Sequence, residues 1–332
     1  MDGPTLSVLE RKTLLEMHEI EKSFPGVKAL QGVSFKVRHG EVHGLVGENG
    51  AGKSTLMKIL SGAYTADGGE IRLDGETITA PTPSDMIARG VAVIYQEFAQ
   101  AEHLSVAENL FMNRMPRGAF GRIDWRKLHH DAADAMMRLG FEIDPHLPIS
   151  RLSVAQRQLV EIARAISQNA KLIVLDEPSA VLGDAELETL FDIIARLKAE
   201  GVSFIYISHR LKEIFELCQV ATVLRDGKLI DSRQVRDWTT DTLIGSMVGR
   251  SIEDYFPARN ADPGDEVLHV KGLTRKGIIR DIGFTLRKGE ILGICGLAGA
   301  GRSEVLRAIM GADPIDAGTI RVHGSETKIT HP

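Results

Sequence analysis

Apolar positions along the chain change period several times, and the changes mark its elements. Val42 to Val46 is a short apolar run ended by Gly47, which predicts a buried strand. Leu56, Ile59 and Leu60 then fall on one face of a helix that stops at Gly62. Gly69 to Thr79 alternates and turns at Asp74-Gly75, a hairpin signal. Gly90 to Tyr95, Leu172 to Leu175 and Ser203 to Ile207 read as further short apolar strands. Between the last two, Leu187, Leu190, Phe191, Ile194 and Leu197 mark one helix face, with Asp184 as N-cap and Gly201 as C-cap. From Phe98 to about Ala170 the pattern is mostly helical, broken at Gly140 and Pro145. Strands alternating with helices predict an α/β fold with a parallel core sheet, into which the stretch after Phe98 is a helical insertion.

The chain also repeats itself. Val33 to Gly75 and Ile282 to Gly324 align without a gap, matching Phe35 with Phe284, Arg38 with Arg287, Gly40-Glu41 with Gly289-Glu290 and Gly69 with Gly318. The spacing is far longer than a solenoid unit and predicts a duplicated domain. Arg259 to Asp265 is polar and holds a Pro-Gly pair, as a linker would. The expected organisation is a complete domain over 14–250, a linker over 251–265 and a shortened second copy over 266–332.

Length and composition fit two domains. The 332 residues suffice for proper cores, and a formal net charge of -5 gives no support to a nucleic-acid-coating role. Cys218 and Cys295 sit in separate apolar contexts without pairing or metal spacing, so they are expected to be core thiols in a reducing compartment. No stretch approaches the ~18 apolar residues of a membrane span, and Met1 to Thr13 has no apolar region of the secretion-signal kind. A soluble protein is expected, with any membrane association made through a partner.

The candidate chemistry starts at Gly47-Glu48-Asn49-Gly50-Ala51-Gly52-Lys53-Ser54, a G-x-x-x-x-G-K-[ST] loop between predicted strand and predicted helix. Glycines there let backbone N–H groups and the helix N-terminus wrap an anion. Lys53 would neutralise outer phosphates, and the Ser54 hydroxyl would bind Mg²⁺. Leu172 to Leu175 leads into Asp176-Glu177, two carboxylates at a strand end, where ligands of parallel sheets collect. Asp176 suits the metal's water shell, and Glu177 suits a general base or water-orienting group. Gln96, after one apolar strand, could reach Mg²⁺ or the attacking water, and His209, after another, could donate to the γ-phosphate. Ser153 and Gln156 have capping-box spacing, which by itself asks only for a well-capped helix.

Together these residues resemble the ATP-binding cassette (ABC) family, in particular the ATPase subunit of bacterial ribose-, galactose- and xylose-type importers. The resemblance runs from about Leu14 to the end, with the motifs in family order: Walker A at Gly47 to Ser54, Q-loop Gln96, signature Leu152 to Gln156, Walker B ending at Asp176-Glu177 and switch His209. It implies the fold of a P-loop cassette with an antiparallel β subdomain and a helical subdomain, followed by the start of a second cassette. It also implies ATP and Mg²⁺ as cofactors. The ATP site would hold Phe24 against adenine and Gly47, Glu48, Asn49, Gly50, Ala51, Gly52, Lys53, Ser54 and Thr55 around the phosphates. Ser54, Gln96 and Asp176 would serve the metal, and Glu177, His209 and Gln96 the reaction. Ser153, Val154, Ala155 and Gln156 would touch ATP bound by an opposing cassette. Implied partners are membrane permease subunits, an external or periplasmic sugar-binding protein acting indirectly, and a second cassette. The implied place is the cytoplasmic face of the cell membrane, as a peripheral subunit.

This sequence departs from the family pattern in three places. The signature LSGGQ reads Leu152-Ser153-Val154-Ala155-Gln156, and the D-loop reads Ala180-Val181-Leu182-Gly183 without its carboxylate. The second loop, Gly296-Leu297-Ala298-Gly299-Ala300-Gly301-Arg302-Ser303, has Arg302 where the first has Lys53. A planar fork and a compact ammonium are not interchangeable in a phosphate cradle, so poor binding or poor turnover is expected at the second loop. Two rival readings are a soluble tandem-cassette ATPase acting on ribosomes or nucleic acid and an ATP-binding fragment without coupled transport.

Overall fold

The computed structural model describes residues 12–95, 100–180, 182–249, 263–297, 299–327 and 329, and divides into two units, 1–255 and 256–332. In the first unit an antiparallel sheet joins β1 (Thr13–Phe24), β2 (Val27–Arg38), β4 (Gly68–Leu73) and β5 (Glu76–Ile78) in the order β2-β1-β4-β5. The β4–β5 turn is the predicted Asp74-Gly75 pair, both with positive φ (53° and 85°), as the tightest hairpin turns require.

The second sheet is the predicted parallel core. Its strands are β3 (Val42–Val46), β6 (Val91–Ile94), β7 (Leu172–Asp176), β8 (Ser203–Ile207), β9 (Val220–Arg225) and β10 (Lys228–Gln234), in the order β10-β9-β3-β8-β7-β6. All neighbours are parallel except β10 on β9. Every residue of β3 and β8 is buried, which requires a cover on both faces. The strand pleat divides the side chains between two cores. Leu45, Val174, Ile205 and Ile207 join the antiparallel sheet and helix α1 (Lys53–Leu60). Val46, Ile173, Leu175 and Tyr206 join α3 (Val106–Leu110), α4 (Trp125–Arg138), α5 (Val154–Ser167) and α6 (Asp184–Ala199). Helices α3 to α5, with short 3-10 turns at Ala119–Gly121 and Ile149–Arg151, form the predicted helical insertion. The remaining helices are α2 (Pro83–Ala88), α7 (Leu211–Leu217) and α8 (Thr240–Val248).

One cap differs from expectation. The N-cap of α6 is Gly183, with Asp184 the first helical residue, because the Glu186 carboxylate reaches back to accept the Gly183 N–H at 2.6 Å. At the other end Glu200 is the C-cap and Gly201 follows it with φ 94°, the left-handed position after a helix.

The second unit contains β11 (Glu266–Arg275), β12 (Ile279–Arg287), β13 (Ala317–Val322), β14 (Ser325–Glu326) and α9 (Arg302–Ile309). Its sheet order, β12-β11-β13-β14, repeats that of the first antiparallel sheet. Val270, Leu273, Ile279, Val305, Ala308, Ile309 and Ile320 form a small core of its own. The counterpart of β3 forms no strand among the described residues, and Ile291 and Leu297 are 83% and 86% exposed. Cys295 in that stretch is exposed, against the expectation of a core thiol, whereas Cys218 is buried. Burial of β3 comes from strands on both its sides, and residues 291–296 have no such neighbours among the described residues. Most of the expected linker at 251–265, namely 251–262, lies outside the described residues.

Candidate functional site

The glycine loop joins the end of β3 to the start of α1, and two of its glycines are sterically required. At Gly47 (φ 152°) a Cβ would lie 2.2 Å from the Leu224 carbonyl oxygen. At Gly52 (φ 105°) it would lie 2.7 Å from that of Ala29. Helix α1 has no side-chain cap, so its first-turn N–H groups carry no side-chain acceptor and keep the anion-binding character of a helix N-terminus.

Lys53 is buried at the first position of α1, and its Nζ donates to the carbonyls of Gly47 (2.7 Å) and Glu48 (3.0 Å). Burial lowers the pKa of this ammonium, against the pull of Glu177 and then Asp176. Asp176, at the end of β7, shows the opposite response. Burial pushes its pKa up and the adjacent Glu177 adds to the effect, while Lys53 and Lys58 draw it down. One open cavity of about 480 Å³ gathers these groups, with Phe24, Asn49, Lys53, Ser54, Thr55, Asp176 and Glu177 among its lining residues.

Glu177 leaves β7 with φ 49°, a left-handed conformation uncommon for a residue with a side chain. Its N–H donates to Ile207 at 2.9 Å, which ties it to the end of β8. His209, two residues beyond, brings Nδ1 to 3.3 Å from Glu177 Oε1. The histidine expected at a phosphate is therefore also a carboxylate partner.

Phe24 ends β1 at the mouth of the cavity, 38% exposed. Tyr64 meets it edge-on at 5.6 Å and Lys22 Nζ lies 5.6 Å from its ring centre. Asp67 accepts from Lys22 Nζ (2.7 Å) and the Ser23 N–H (2.6 Å), fixing the backbone next to Phe24. Nothing local in the sequence marks Asp67 or Tyr64, because their role comes from strand pairing.

Ser153 and Gln156 form the capping box at the start of α5. The Gln156 N–H donates to Ser153 Oγ at 3.3 Å and the Ser153 N–H to Gln156 Oε1 at 2.9 Å. Ser153, Ala155 and Gln156 line a separate cavity with Leu182 and Glu186, and Val154 is 42% exposed. The structure thus keeps the signature apart from the phosphate loop of the same chain. Gln96 lies outside the described residues. In the second unit Gly301 and the start of α9 repeat the geometry of Gly52 and α1, but Arg302 is exposed where Lys53 is buried.

A parallel core sheet, a glycine loop leading into a helix and two carboxylates at the end of a neighbouring strand define a P-loop nucleotide-binding domain. Residues 30–180 and 279–331 match the ABC transporter family, and the chain belongs to it. It is 48% identical over 321 residues to a putative ribose/galactose/methyl galactoside import ATP-binding protein of Burkholderia ambifaria, covering 96% of this chain and 63% of that one. A similarly described protein of Agrobacterium fabrum is 50% identical over 324 residues, covering 97% and 64%. The chain thus spans less than two thirds of the length of these relatives. Among solved structures, the ADP conformation of an ATP-binding cassette of an ABC transporter overlays with a TM-score of 0.64 at 27% identity, covering 72% of this chain and all of that one.

Proposed function

We propose that the first unit binds and hydrolyses Mg²⁺–ATP and so energises sugar import through membrane permease subunits. The observation that carries this reading is the convergence of Lys53, Asp176 and Glu177 on one cavity at the glycine loop, with His209 paired to Glu177. Phe24 stacks on adenine at the cavity mouth, while the loop N–H groups and Lys53 take the phosphates. The desolvated Asp176 carboxylate, repelled by Glu177, fits a cation, and Ser54, Asp176 and Gln96 would hold Mg²⁺. Bound there, the ion neutralises charge on the phosphate oxygens. Glu177 aligns the attacking water and accepts its proton. His209 steadies Glu177 through Nδ1 and has Nε2 left to donate to the transferring phosphoryl group.

The separation of Ser153 to Gln156 from the loop supports a site completed by a second cassette, whose signature residues face the ATP. Import by relatives described as sugar-import ATP-binding proteins supports the permease and sugar-binding partners and a peripheral place at the inner membrane face. None of the described helices is long and apolar enough to cross a membrane. The purified chain should hydrolyse Mg²⁺–ATP, with specific activity rising with chain concentration as cassettes pair. Lys53→Ala should abolish the activity. Hydrolysis that persists in Lys53→Ala, or none in the native chain at any concentration, would reject the reading.

A further inference from the structure

Glu213, on α7 and absent from the motifs above, is a heavily bonded carboxylate in the interior of the first unit. It is 3% exposed, and a glutamate is almost never so buried without partners. One of its oxygens, Oε2, accepts three hydroxyl hydrogen bonds, from Ser179 (2.9 Å), Tyr206 (2.9 Å) and Ser208 (2.8 Å). The other oxygen faces Arg210 Nη1 at 3.6 Å. Ser179 follows Glu177 by two residues, and Ser208 directly precedes His209. A single oxygen thus clamps the segment leaving the catalytic carboxylate to the turn carrying its histidine. Ser208 Oγ also accepts the Arg210 N–H at 3.0 Å, so the turn is gripped on both sides of His209. Burial and the neighbouring carboxylate push the Tyr206 phenol up, which keeps it a neutral donor. Hydrogen bonds to a carboxylate in a dry interior are the strong kind, and losing the shared oxygen would leave three buried hydroxyl donors without that acceptor.

We propose that Glu213 is a positioning residue that holds the Ser208–His209 turn against the Ser179 segment, so that His209 Nδ1 stays paired with Glu177. The inference rests on the proposed hydrolytic function only for its kinetic consequence; the geometric part stands apart from it. Glu213→Ala removes the clamp. Glu213→Gln keeps one carbonyl for the hydroxyls and exposes its amide to Arg210.

The test uses the full chain labelled with ¹³C at histidine, with the His209 signal assigned by its loss in His209→Ala. Glu177→Ala, which removes the acceptor, marks where that signal moves when the pair is broken. Glu213→Ala should carry it to the same place, and Glu213→Gln only part of the way. A His209 signal left at its native position by Glu213→Ala, in a chain that still unfolds cooperatively, overturns the proposal. The kinetic arm measures kcat and nucleotide affinity. Glu213→Ala should lower kcat about 10- to 100-fold with little change in affinity, and should cost nothing further in a His209→Ala background. A multiplicative loss in the double variant, the mark of a general structural defect, overturns it. A native chain without Lys53-dependent hydrolysis defeats the proposed function instead, and the histidine signal still decides the role of Glu213.

Discussion

Replacing Lys53 by Met separates the residue's part in nucleotide binding from its part in folding. An ammonium has three N–H donors, and Lys53 uses two on the Gly47 and Glu48 carbonyls, leaving one and the whole charge for a phosphate. A charge-assisted hydrogen bond contributes about 1.5–3 kcal/mol, so Lys53→Met should weaken ATP binding about 10- to 150-fold. The figure is a lower bound, because Asp176 and Glu177 would then face the incoming anion without their shared cation. The fold should not suffer in parallel. Burial depresses the Lys53 pKa, so its stability contribution is present only above the unfolded value and is lost as pH falls through the folded one. At neutral pH the buried ammonium therefore opposes folding. Met keeps the stem and removes the charge, and the midpoint without nucleotide should stay within about 3 °C of the native chain or rise. Calorimetric titration with ATP in the presence of a chelator, at fixed ionic strength, reads binding without turnover. Arg302→Met serves as the control and should leave the affinity of the stronger site unchanged. A Lys53→Met affinity within about threefold of native, or a large loss in Arg302→Met, would refute the assignment.

Four further outcomes follow, three from the same site and one from the start of α5. Glu177→Gln should keep ATP affinity and lower turnover about 10²- to 10³-fold in a single-turnover assay; unchanged turnover removes Glu177 from the chemistry. Burial and Glu177 raise the Asp176 pKa, so its stability contribution is present at low pH and lost as pH rises through the folded value. Asp176→Asn should accordingly raise the nucleotide-free midpoint by about 1–3 °C at pH 7 while abolishing the Mg²⁺ dependence of ATP affinity, and a lower midpoint contradicts it. The same shift makes Mg²⁺-supported affinity fall as the solution is acidified towards that value. Ser153→Ala removes the N-cap of α5 and should lower stability by about 1 kcal/mol in urea unfolding, and an unchanged midpoint shows that the capping bond at Gln156 is not felt.

The sequence is most legible where chemistry depends on neighbours along the chain. The strand before Gly47, the helix after Gly52, the turn at Asp74-Gly75 and the box from Ser153 to Gln156 are all local patterns, and the structure forms each of them. The periodicity of α6 is equally local, yet its cap moved by one residue because Glu186 competes for the Gly183 N–H. Contacts made by sheet order are not written locally. Glu177 meets Ile207 because β7 pairs with β8, and Ser179 reaches Glu213 across the same pairing, whereas Tyr206 and Ser208 lie only a few residues before Glu213. The Asp67 grip on Ser23 likewise depends on the β1–β4 pairing. Identity of residue types gave the catalytic set, and topology supplied its supports.

The two glycine loops separate what a short segment can specify from what it cannot. Gly52 and Gly301 both adopt left-handed φ, 105° and 86°, and a helix of eight residues starts directly after each. Loop and helix are therefore encoded within their own dozen residues, whether Lys53 or Arg302 follows the last glycine. The strand before the loop behaves differently. Val42–Val46 lies between β8 and β9, drawn from far along the chain, and is wholly buried. Its counterpart around Ile291 and Ile294 is equally apolar but exposed, with no strand neighbours among the described residues. A lone strand has backbone donors and acceptors that only a partner can satisfy, so apolar character without a pairing surface does not make one. The same logic reaches the catalytic groups. Asp176 and Glu177 come from β7, and His209 from the end of β8. In the first unit those groups stand against the loop because the parallel sheet sets β8 and β7 beside β3. Side-chain identity at Lys53 or Arg302 tunes a cradle, and the parallel sheet beside it determines whether the cradle can do chemistry.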